Sequence, residues 1–257
     1  MYKKTIAAIG AHALAEYPRE CCGLLVAIGR KEKYVACRNL AKGTDHFILA
    51  PEDYAAAEDQ GKVIAVIHSH PDMPARSSEA DRVACEASGL PWHIISIMPD
   101  DTGALIADDI RSIAPDGYQA PLIGRPFSHG VLDCYTLIRD CFAREFDIVI
   151  PDFERQDKWW EGEQELYLDG FPKAGFAPLR DGEPLRPGDV ILMQLRSDRT
   201  NHGGVFMGDR PLKEAPYLHR VPDAMLHHVY GHLSERAVYG GHWKEITRMI
   251  LRHKDLV

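Results

Sequence analysis

Residues 63–71 read VIAVIHSHP, an unbroken apolar run followed by two histidines and a proline. Apolar runs of this length are typical of a central strand that is buried on both faces. His68 and His70 are two residues apart, and alternate residues of a strand project from the same face. The stretch therefore predicts a buried strand from Val63 to Ile67 that ends at His68, where two imidazoles can converge on one metal ion.

An aspartate downstream can complete this metal site. A serine at position 77 or 78 can cap a helix that runs to Gly89, and Asp81 lies on its first turn. Three protein ligands leave a fourth position for water, which is typical of catalytic zinc and not of structural zinc. We therefore predict Zn²⁺ as the cofactor, held by His68, His70 and Asp81. Amide hydrolysis there also requires a carboxylate that moves protons beside the metal-activated water.

This half of the chain resembles the JAMM (MPN) metallopeptidases, the family of deubiquitinating isopeptidases and their bacterial relatives. Residues 20–25 read ECCGLL, and the spacing from the histidines to Ser78 and Asp81 matches the family pattern. The resemblance implies that the two histidines and Asp81 hold zinc. It implies further that Glu20 takes a proton from the zinc-bound water and that Ser78 stabilises the tetrahedral oxyanion. The expected fold is cytidine-deaminase-like.

The other N-terminal segments complete an α+β pattern. Residues 3–16 resemble a signal peptide in charge and apolarity, but His12 interrupts the apolar core, and we predict an amphipathic helix that ends at the Tyr17-Pro18 step. The further predicted elements are strands at Cys22 to Ile28 and Tyr34 to Arg38, a helix at Pro51 to Gln60, and strands at His93 to Met98 and Ala104 to Ile110.

Residues 114–126 are rich in proline and glycine, which places a domain boundary there. A chain of 257 residues is also longer than the commonest domain size of ~100–150 residues. We therefore expect two domains, a JAMM/MPN domain over residues 1–113 and a second domain over residues 122–257. In the second domain we predict a helix at Asp133 to Phe146 and strands at Val190 to Met193 and at His202 to Met207, and we expect residues 151–172 to be helical or irregular.

The second domain contains a candidate nucleophile. Cys134 follows Asp133 at the start of a predicted helix, where the positive end of the macrodipole stabilises a thiolate. A thiolate needs an imidazole partner, and that imidazole needs an orienting group. His202, which opens a predicted strand, and His227 fit these needs. His228, next to His227, remains the alternative third member.

This half resembles the NlpC-type, papain-like cysteine peptidases, which cut peptidoglycan stem peptides near D-Glu and diaminopimelate. Cys134, the turn Pro187-Gly188-Asp189, His202 and His227 follow the family order. The aromatic family segment reads PFSHG at residues 126–130, so a tyrosine hydroxyl near the nucleophile is missing from it. The resemblance implies that Cys134 is the nucleophile, His202 the base and His227 the orienting residue.

The fusion of the two domains in this order resembles the tail-assembly protein K family of lambda-like phages and prophages. That resemblance implies a bifunctional peptidase whose partners are phage tail-tip proteins, a ubiquitin-like tail protein and peptidoglycan stem peptides. It implies synthesis in the host cytoplasm, a place at the virion tail tip and action in the periplasm. Two alternatives remain open: a structural tail-tip subunit with vestigial sites, and a bacterial cell-wall or ubiquitin-like-deconjugating hydrolase outside any phage.

Composition excludes other classes of function. The formal net charge is −8 and no block of Lys and Arg occurs, so nucleic acid is not an expected partner. No run reaches the ~20 apolar residues of a membrane span. The six cysteines show no paired framework, which predicts reduced thiols.

Overall fold

The computed structural model of the protein describes residues 1–156 and 159–256. Its internal contacts divide the chain into two units, Met1–Gln119 and Ala120–Val257. Each unit contains one six-stranded sheet, helices and its own hydrophobic core. The predicted α+β class and the two-domain organisation are confirmed. None of the described helices has both the length and the apolar character needed to cross a membrane.

The N-terminal unit alternates helices with strands. Its elements are α1 (Lys3–Glu16), β1 (Cys22–Ile28), β2 (Lys31–Cys37), α2 (Pro51–Glu58), β3 (Lys62–Pro71), α3 (Glu79–Ser88), β4 (Trp92–Pro99), β5 (Leu105–Ile106) and β6 (Ile110–Ile113). α1 and β1 have the predicted bounds. The predicted end of β3 at His68 is wrong, because parallel pairing with β4 continues as far as Pro71. The predicted strand from Ala104 to Ile110 is two short strands.

The sheet order is β2-β1-β3-β4-β5, and β6 also pairs with β4. β3 and β4 are parallel, and the other pairs are antiparallel. Alternate strand residues pack on opposite faces. Leu25 and Ile67 pack with α1, whereas Leu24 and Val66 pack with Ala57 of α2 and with α3. The sheet therefore lies between α1 on one face and α2 with α3 on the other.

The C-terminal unit is an antiparallel sheet covered by one longer helix. Its elements are α4 (Cys134–Glu145), α5 (Leu166–Gly170), β7 (Phe176–Pro178), β8 (Val190–Met193), β9 (His202–Gly208), β10 (Ala224–His227), β11 (Glu235–Val238), α6 (His242–Glu245) and β12 (Thr247–His253). The order is β11-β10-β9-β8-β12-β7. The sequence predicted α4, β8 and β9 but not the other four strands. Of the stretch 151–172, expected to be helical or irregular, residues 157–158 lie outside the described residues.

α4 packs on β9, and a glycine makes that approach possible. A Cβ built at Gly203 would lie 2.8 Å from Cδ1 of Ile138, which α4 carries into the core. Cβ atoms essentially never come that close to another heavy atom. Because Gly203 follows His202, the same close contact brings the start of β9 to the beginning of α4. The two predicted active-site segments are therefore neighbours in this fold.

We predict that Gly23→Ala destabilises the N-terminal unit. A Cβ at residue 23 would lie 2.6 Å from the carbonyl oxygen of Val35 and 2.5 Å from the ring of Tyr34. Overpacking of this kind typically costs about 1–3 kcal/mol. Urea denaturation should show the loss. Gly240→Ala is the control, because the nearest atom to its Cβ is 4.0 Å away; equal stability of the two variants would contradict the argument.

Candidate functional site

The strand register places the two histidines of β3 on the face that carries α3. Val66, His68 and His70 alternate along β3, and Val66 belongs to the core shared with α3. Nε2 of His68 lies 3.1 Å from Nε2 of His70 and 3.1 Å from Oδ1 of Asp81. Nε2 of His70 lies 3.4 Å from Oδ2 of Asp81. The structure therefore brings together all three predicted metal ligands.

The donor atoms have the spacing that zinc requires. With bond lengths near 2.0–2.1 Å, neighbouring ligands of a tetrahedral zinc are about 3.3 Å apart. The three observed separations are 3.1, 3.1 and 3.4 Å. Nδ1 of His70 faces the carbonyl oxygen of Pro74 at 3.3 Å, which leaves Nε2 for a metal. Nδ1 of His68 is buried without a hydrogen-bond partner. The orientation of the His68 ring is therefore not fixed by a hydrogen bond at Nδ1, as that of the His70 ring is.

Helix capping fixes the aspartate. The Ser78 hydroxyl accepts a hydrogen bond from the Asp81 N–H at 3.0 Å, and the Ser78 N–H donates to Oδ2 of Asp81 at 2.7 Å. This reciprocal capping box starts α3. Burial acts to raise the pKa of Asp81, but hydrogen bonds from His68 and His70 overcome it and hold that pKa well below its ordinary value. The Asp81 carboxylate is therefore charged, as a metal ligand must be.

Glu20 lies beside this cluster. β1 pairs with β3 so that Cys22 is opposite His68, and the Ser69 N–H donates to the Cys21 carbonyl at 3.1 Å. Continued one residue beyond Cys21 and Ser69, this antiparallel register brings Glu20 opposite His70. The Glu20 side chain is buried, and burial raises its pKa to about 8, with the His70 charge acting in the opposite direction. A carboxyl group with a pKa near neutrality can both take up and release a proton.

Two aromatic side chains that sequence reasoning did not identify surround the cluster of His68, His70 and Asp81. The Phe47 ring stacks on His68 with 5.0 Å between centroids, and the Trp92 ring meets His68 edge-on at 5.3 Å. Phe47 follows an irregular segment that has no predictive periodicity. Together the two rings bury His68 completely and restrict the orientation of its imidazole.

In the C-terminal unit, Cys134 is the first residue of α4 and is largely buried, whereas the other five free cysteines are more completely buried. Its Sγ lies 3.1 Å from the Tyr167 hydroxyl and close to the backbone N–H of Gly203. The helix terminus predicts a lowered pKa, but burial, with the Asp133 charge, raises the pKa of the Cys134 thiol to about 11. The Cys134 side chain is therefore a neutral thiol at neutral pH.

His202 opens β9, and His227 ends the neighbouring strand β10. Nε2 of His202 lies 3.2 Å from Nδ1 of His227, which leaves Nδ1 of His202 available to a substrate or a thiol. Burial lowers the pKa of His202 to about 3, and the charges of His227 and His228 act in the same direction. In the part of the chain that the structure describes, no hydrogen bond joins His202 to Cys134. Both side chains nevertheless line one cleft.

The structure distinguishes between the two candidates for the third member. His227 meets His202, whereas Nε2 of His228 lies 3.1 Å from the His232 carbonyl and its ring packs on Phe127 at 5.0 Å. The Trp243 ring covers His227 at 4.5 Å. The geometry therefore favours His227 as the group that orients His202.

An ion pair steadies the beginning of α4. The Asp133 carboxylate caps the helix through the Thr136 N–H at 2.8 Å and also accepts from Nε of Arg155 at 2.7 Å. Burial acts to raise the pKa of Asp133, but the Arg155 charge and these hydrogen bonds keep it below its ordinary value. Arg155 thereby neutralises the charge next to Cys134. Its position in the irregular stretch 151–156 gave no hint of this role.

The cysteine cleft has a volume of about 510 Å³ and can admit a peptide. Cys134, His202 and Glu235 line it together with aromatic side chains. These are Phe127, Trp159, Trp160, Tyr167, Tyr230 and Trp243.

Comparisons with known proteins match each half of the chain to a family. Residues 2–105 match the family of prokaryotic homologs of the JAB domain, and residues 124–252 match the NlpC/P60 family. Tail tip assembly protein K of Escherichia phage N15 is 44% identical over 259 residues, which cover 100% of this chain and 97% of that protein. The chain belongs to the tail tip assembly protein K family. The protein K of Escherichia phage lambda is 36% identical over 208 residues, covering 80% of this chain and 89% of that one.

Family membership confirms the predicted fusion of the two domains. Among solved structures, a protein from Desulfitobacterium hafniense aligns with 24% identity and a TM-score of 0.32, covering 44% of this chain and 88% of that chain. Phe127, in the aromatic segment at residues 126–130, has no hydroxyl. The Tyr167 hydroxyl, from a different element, lies against Sγ instead.

We predict that the N-terminal unit binds one zinc ion. His68→Ala and Asp81→Ala should lose it, because each removes one of three converging ligands. Glu20→Gln should retain it, because Glu20 is beside the cluster and not part of it. Metal analysis of the purified variants measures the zinc content. Zinc-free wild-type protein after refolding with zinc, or a zinc-free Glu20→Gln variant, would contradict the assignment.

We also predict that the C-terminal unit loses stability as the pH falls from 7 to 5.5. Burial lowers the pKa of His202 to about 3 and the pKa values of His227 and His228 to about 4. The unfolded chain therefore binds protons first, and stability is complete only above about pH 6.5. Each such histidine costs up to about 1.4 kcal/mol per pH unit in this window.

Thermal unfolding followed by tryptophan fluorescence in a Trp92→Phe background measures this effect. In that background the remaining three tryptophans all lie in the C-terminal unit, so the fluorescence reports on that unit. Adding His228→Asn should make the pH dependence shallower. A melting temperature that is constant between pH 7 and 5.5 would be incompatible with the burial of three neutral histidines.

Proposed function

We propose that this protein is a bifunctional peptidase of the phage tail tip. Its zinc-dependent half hydrolyses a peptide or isopeptide bond, and its thiol-dependent half hydrolyses peptidoglycan stem peptides. The observation that carries the proposal is the spatial convergence of both residue sets, the donors of His68, His70 and Asp81 on one point and the Cys134 and His202 side chains in one cleft. A site without activity would not require either set of side chains to remain close together.

In the N-terminal site, zinc held by the two histidines and Asp81 would supply Lewis acidity and lower the pKa of water at that position. Glu20 would carry the proton, accepting one from the attacking water and delivering one to the leaving amine. Burial raises the pKa of Glu20 to about 8 in the metal-free protein, and the positive charge of bound zinc would lower it toward the range in which the carboxylate accepts a proton. The Ser78 oxygen accepts from the Asp81 N–H, and its own hydrogen remains free to donate to the developing oxyanion.

In the C-terminal site, the resting pair is a neutral thiol and a neutral imidazole. Sγ of Cys134 attacks the scissile carbonyl while its proton passes to Nδ1 of His202. For Nδ1 to accept, Nε2 of His202 must carry a hydrogen and donate it to Nδ1 of His227. His227 thus fixes the tautomer of the base. His202 then returns the proton to the leaving amine, and water hydrolyses the thioester.

The backbone supplies a candidate oxyanion hole. The N–H of Cys134 is at the first position of α4, where helical N–H groups have no intrahelical partner. A carbonyl attacked by Sγ places its oxygen near these groups and near the positive end of the helix dipole. This arrangement favours the tetrahedral intermediate without any movement of the backbone.

The tail-tip setting is proposed from the two phage relatives, both of which carry the name tail tip assembly protein K. Phage tail-tip proteins, among them a ubiquitin-like tail protein as a substrate of the zinc half, are the proposed partners. Synthesis takes place in the host cytoplasm and action on peptidoglycan in the periplasm. The aromatic walls of the cysteine cleft suit a substrate with apolar peptide surface.

One observation favours a second function, that of a structural tail-tip subunit with an inactive cysteine site. The Cys134 thiol has a pKa of about 11 and no hydrogen bond to His202 among the described residues. Catalytic hydrogen bonds are often long in free enzymes and tighten with substrate, so this observation does not decide between the functions. Enzyme assay does.

We predict that the wild-type protein releases stem-peptide fragments from purified peptidoglycan and that Cys134→Ala does not. Loss of a nucleophile removes a factor of at least about 10³ in rate. Cys141→Ala is the matched control, because Cys141 is a buried thiol two turns along the same helix. Mass spectrometry of the soluble products measures the release. Equal release by wild type and Cys134→Ala would rule out the thiol mechanism.

A further inference from the structure

Tyr167 contacts the nucleophile from outside the motifs that predict the cysteine site. It lies on α5, and its hydroxyl oxygen is 3.1 Å from Sγ of Cys134. The ring is fixed on three sides. The Tyr135 and Trp159 rings lie 6.1 and 6.2 Å away, and a Cβ at Gly203 would be 3.4 Å from Cε1 of Tyr167. The missing side chain at residue 203 therefore leaves room for this ring beside His202.

We propose that Tyr167 is a further catalytic residue whose hydroxyl donates a hydrogen bond to Sγ as the thiol loses its proton. This inference rests on the proposed cysteine peptidase function. The thiol proton goes to Nδ1 of His202, and the phenol keeps its own. A hydrogen bond to a charged acceptor is stronger than one to a neutral acceptor, so the contact stabilises the thiolate more than the thiol. The phenol thereby lowers the barrier to forming the nucleophile.

The surroundings of Sγ make such a donor important. The Asp133 carboxylate adjoins Cys134 and opposes a second negative charge, although its ion pair with Arg155 reduces this effect. The groups that favour the thiolate are two hydrogen-bond donors, the Tyr167 hydroxyl and the Gly203 N–H, together with the charge of Arg155. Burial raises the pKa of Tyr167 well above its ordinary value, so its hydroxyl remains a donor at neutral pH. Of these two donors, the phenol is the one that mutation can remove.

Alkylation of Cys134 by iodoacetamide tests the proposal in the full-length protein. Only the thiolate reacts, so the rate at each pH between 7 and 9 reports the thiolate fraction. Tyr167→Phe should react about threefold to tenfold more slowly than wild type, because the lost donor lowers that fraction while the remaining thiolate is slightly more nucleophilic. Peptide mass mapping assigns the label to Cys134. An equal or faster rate in Tyr167→Phe would overturn the proposal.

Tyr135→Phe is the matched control. Its hydroxyl donates to the Pro151 carbonyl at 2.6 Å, and its ring is next to Tyr167, but it does not contact Sγ. We expect alkylation of this variant at the wild-type rate; an equal slowing of both variants would assign the effect to packing and overturn the proposal. If Tyr167→Phe does not fold, 3-fluorotyrosine at position 167 keeps the ring and strengthens the donor. That substitution should speed alkylation, and an unchanged or slower rate would overturn the proposal.

Cleavage of peptidoglycan separates this inference from the function on which it rests. If wild type cleaves, kcat/KM of Tyr167→Phe should fall by at least as much as the alkylation rate, mainly through kcat. A variant with unchanged kcat/KM would reject Tyr167 and leave the peptidase function intact. If wild type does not cleave while alkylation slows as expected, the peptidase proposal fails, and with it the catalytic assignment of Tyr167.

Discussion

The antiparallel register between β1 and β3 is the constraint on which the N-terminal site depends. Cys22 opposite His68 fixes which side of the sheet each histidine faces, and it fixes Glu20 beside His70. A shift of one residue would turn both imidazoles toward α1 and away from Asp81. Val66 and Ile67, just before the histidines, oppose that shift, because they are buried in two different cores on opposite faces of the sheet. The packing of the strand in the core therefore also sets which face of the sheet carries the histidines.

In the C-terminal unit, the close approach of α4 to the backbone of β9 has the same importance. Gly203 allows α4 to lie directly on β9 and leaves room for the Tyr167 ring. The consequence is that a helix start, a strand start and a distant tyrosine meet around Sγ. The Asp133 and Arg155 pair then offsets the charge that this meeting places next to the nucleophile. The site is therefore assembled from segments far apart in the chain.

Residues whose positions follow from local rules were predictable from the sequence. Strand alternation predicted that His68 and His70 share a face, and the serine cap predicted the start of the helix that carries Asp81. Tyr167, Arg155 and Phe47 were not predictable, because each acts through contacts across the fold and lies in a segment without periodicity. The strands β7, β10, β11 and β12 were missed for a similar reason. Their pairing with distant strands, and not their own composition, defines them.

The neutral resting state of Cys134 has a consequence for durability. Peroxides and other oxidants attack thiolates far faster than thiols. A sulfur whose pKa is about 11 is almost wholly protonated at neutral pH, so it resists conversion to sulfenic and sulfinic acids. In the proposed peptidase, this protonation would slow the oxidative loss of the nucleophile before substrate arrives.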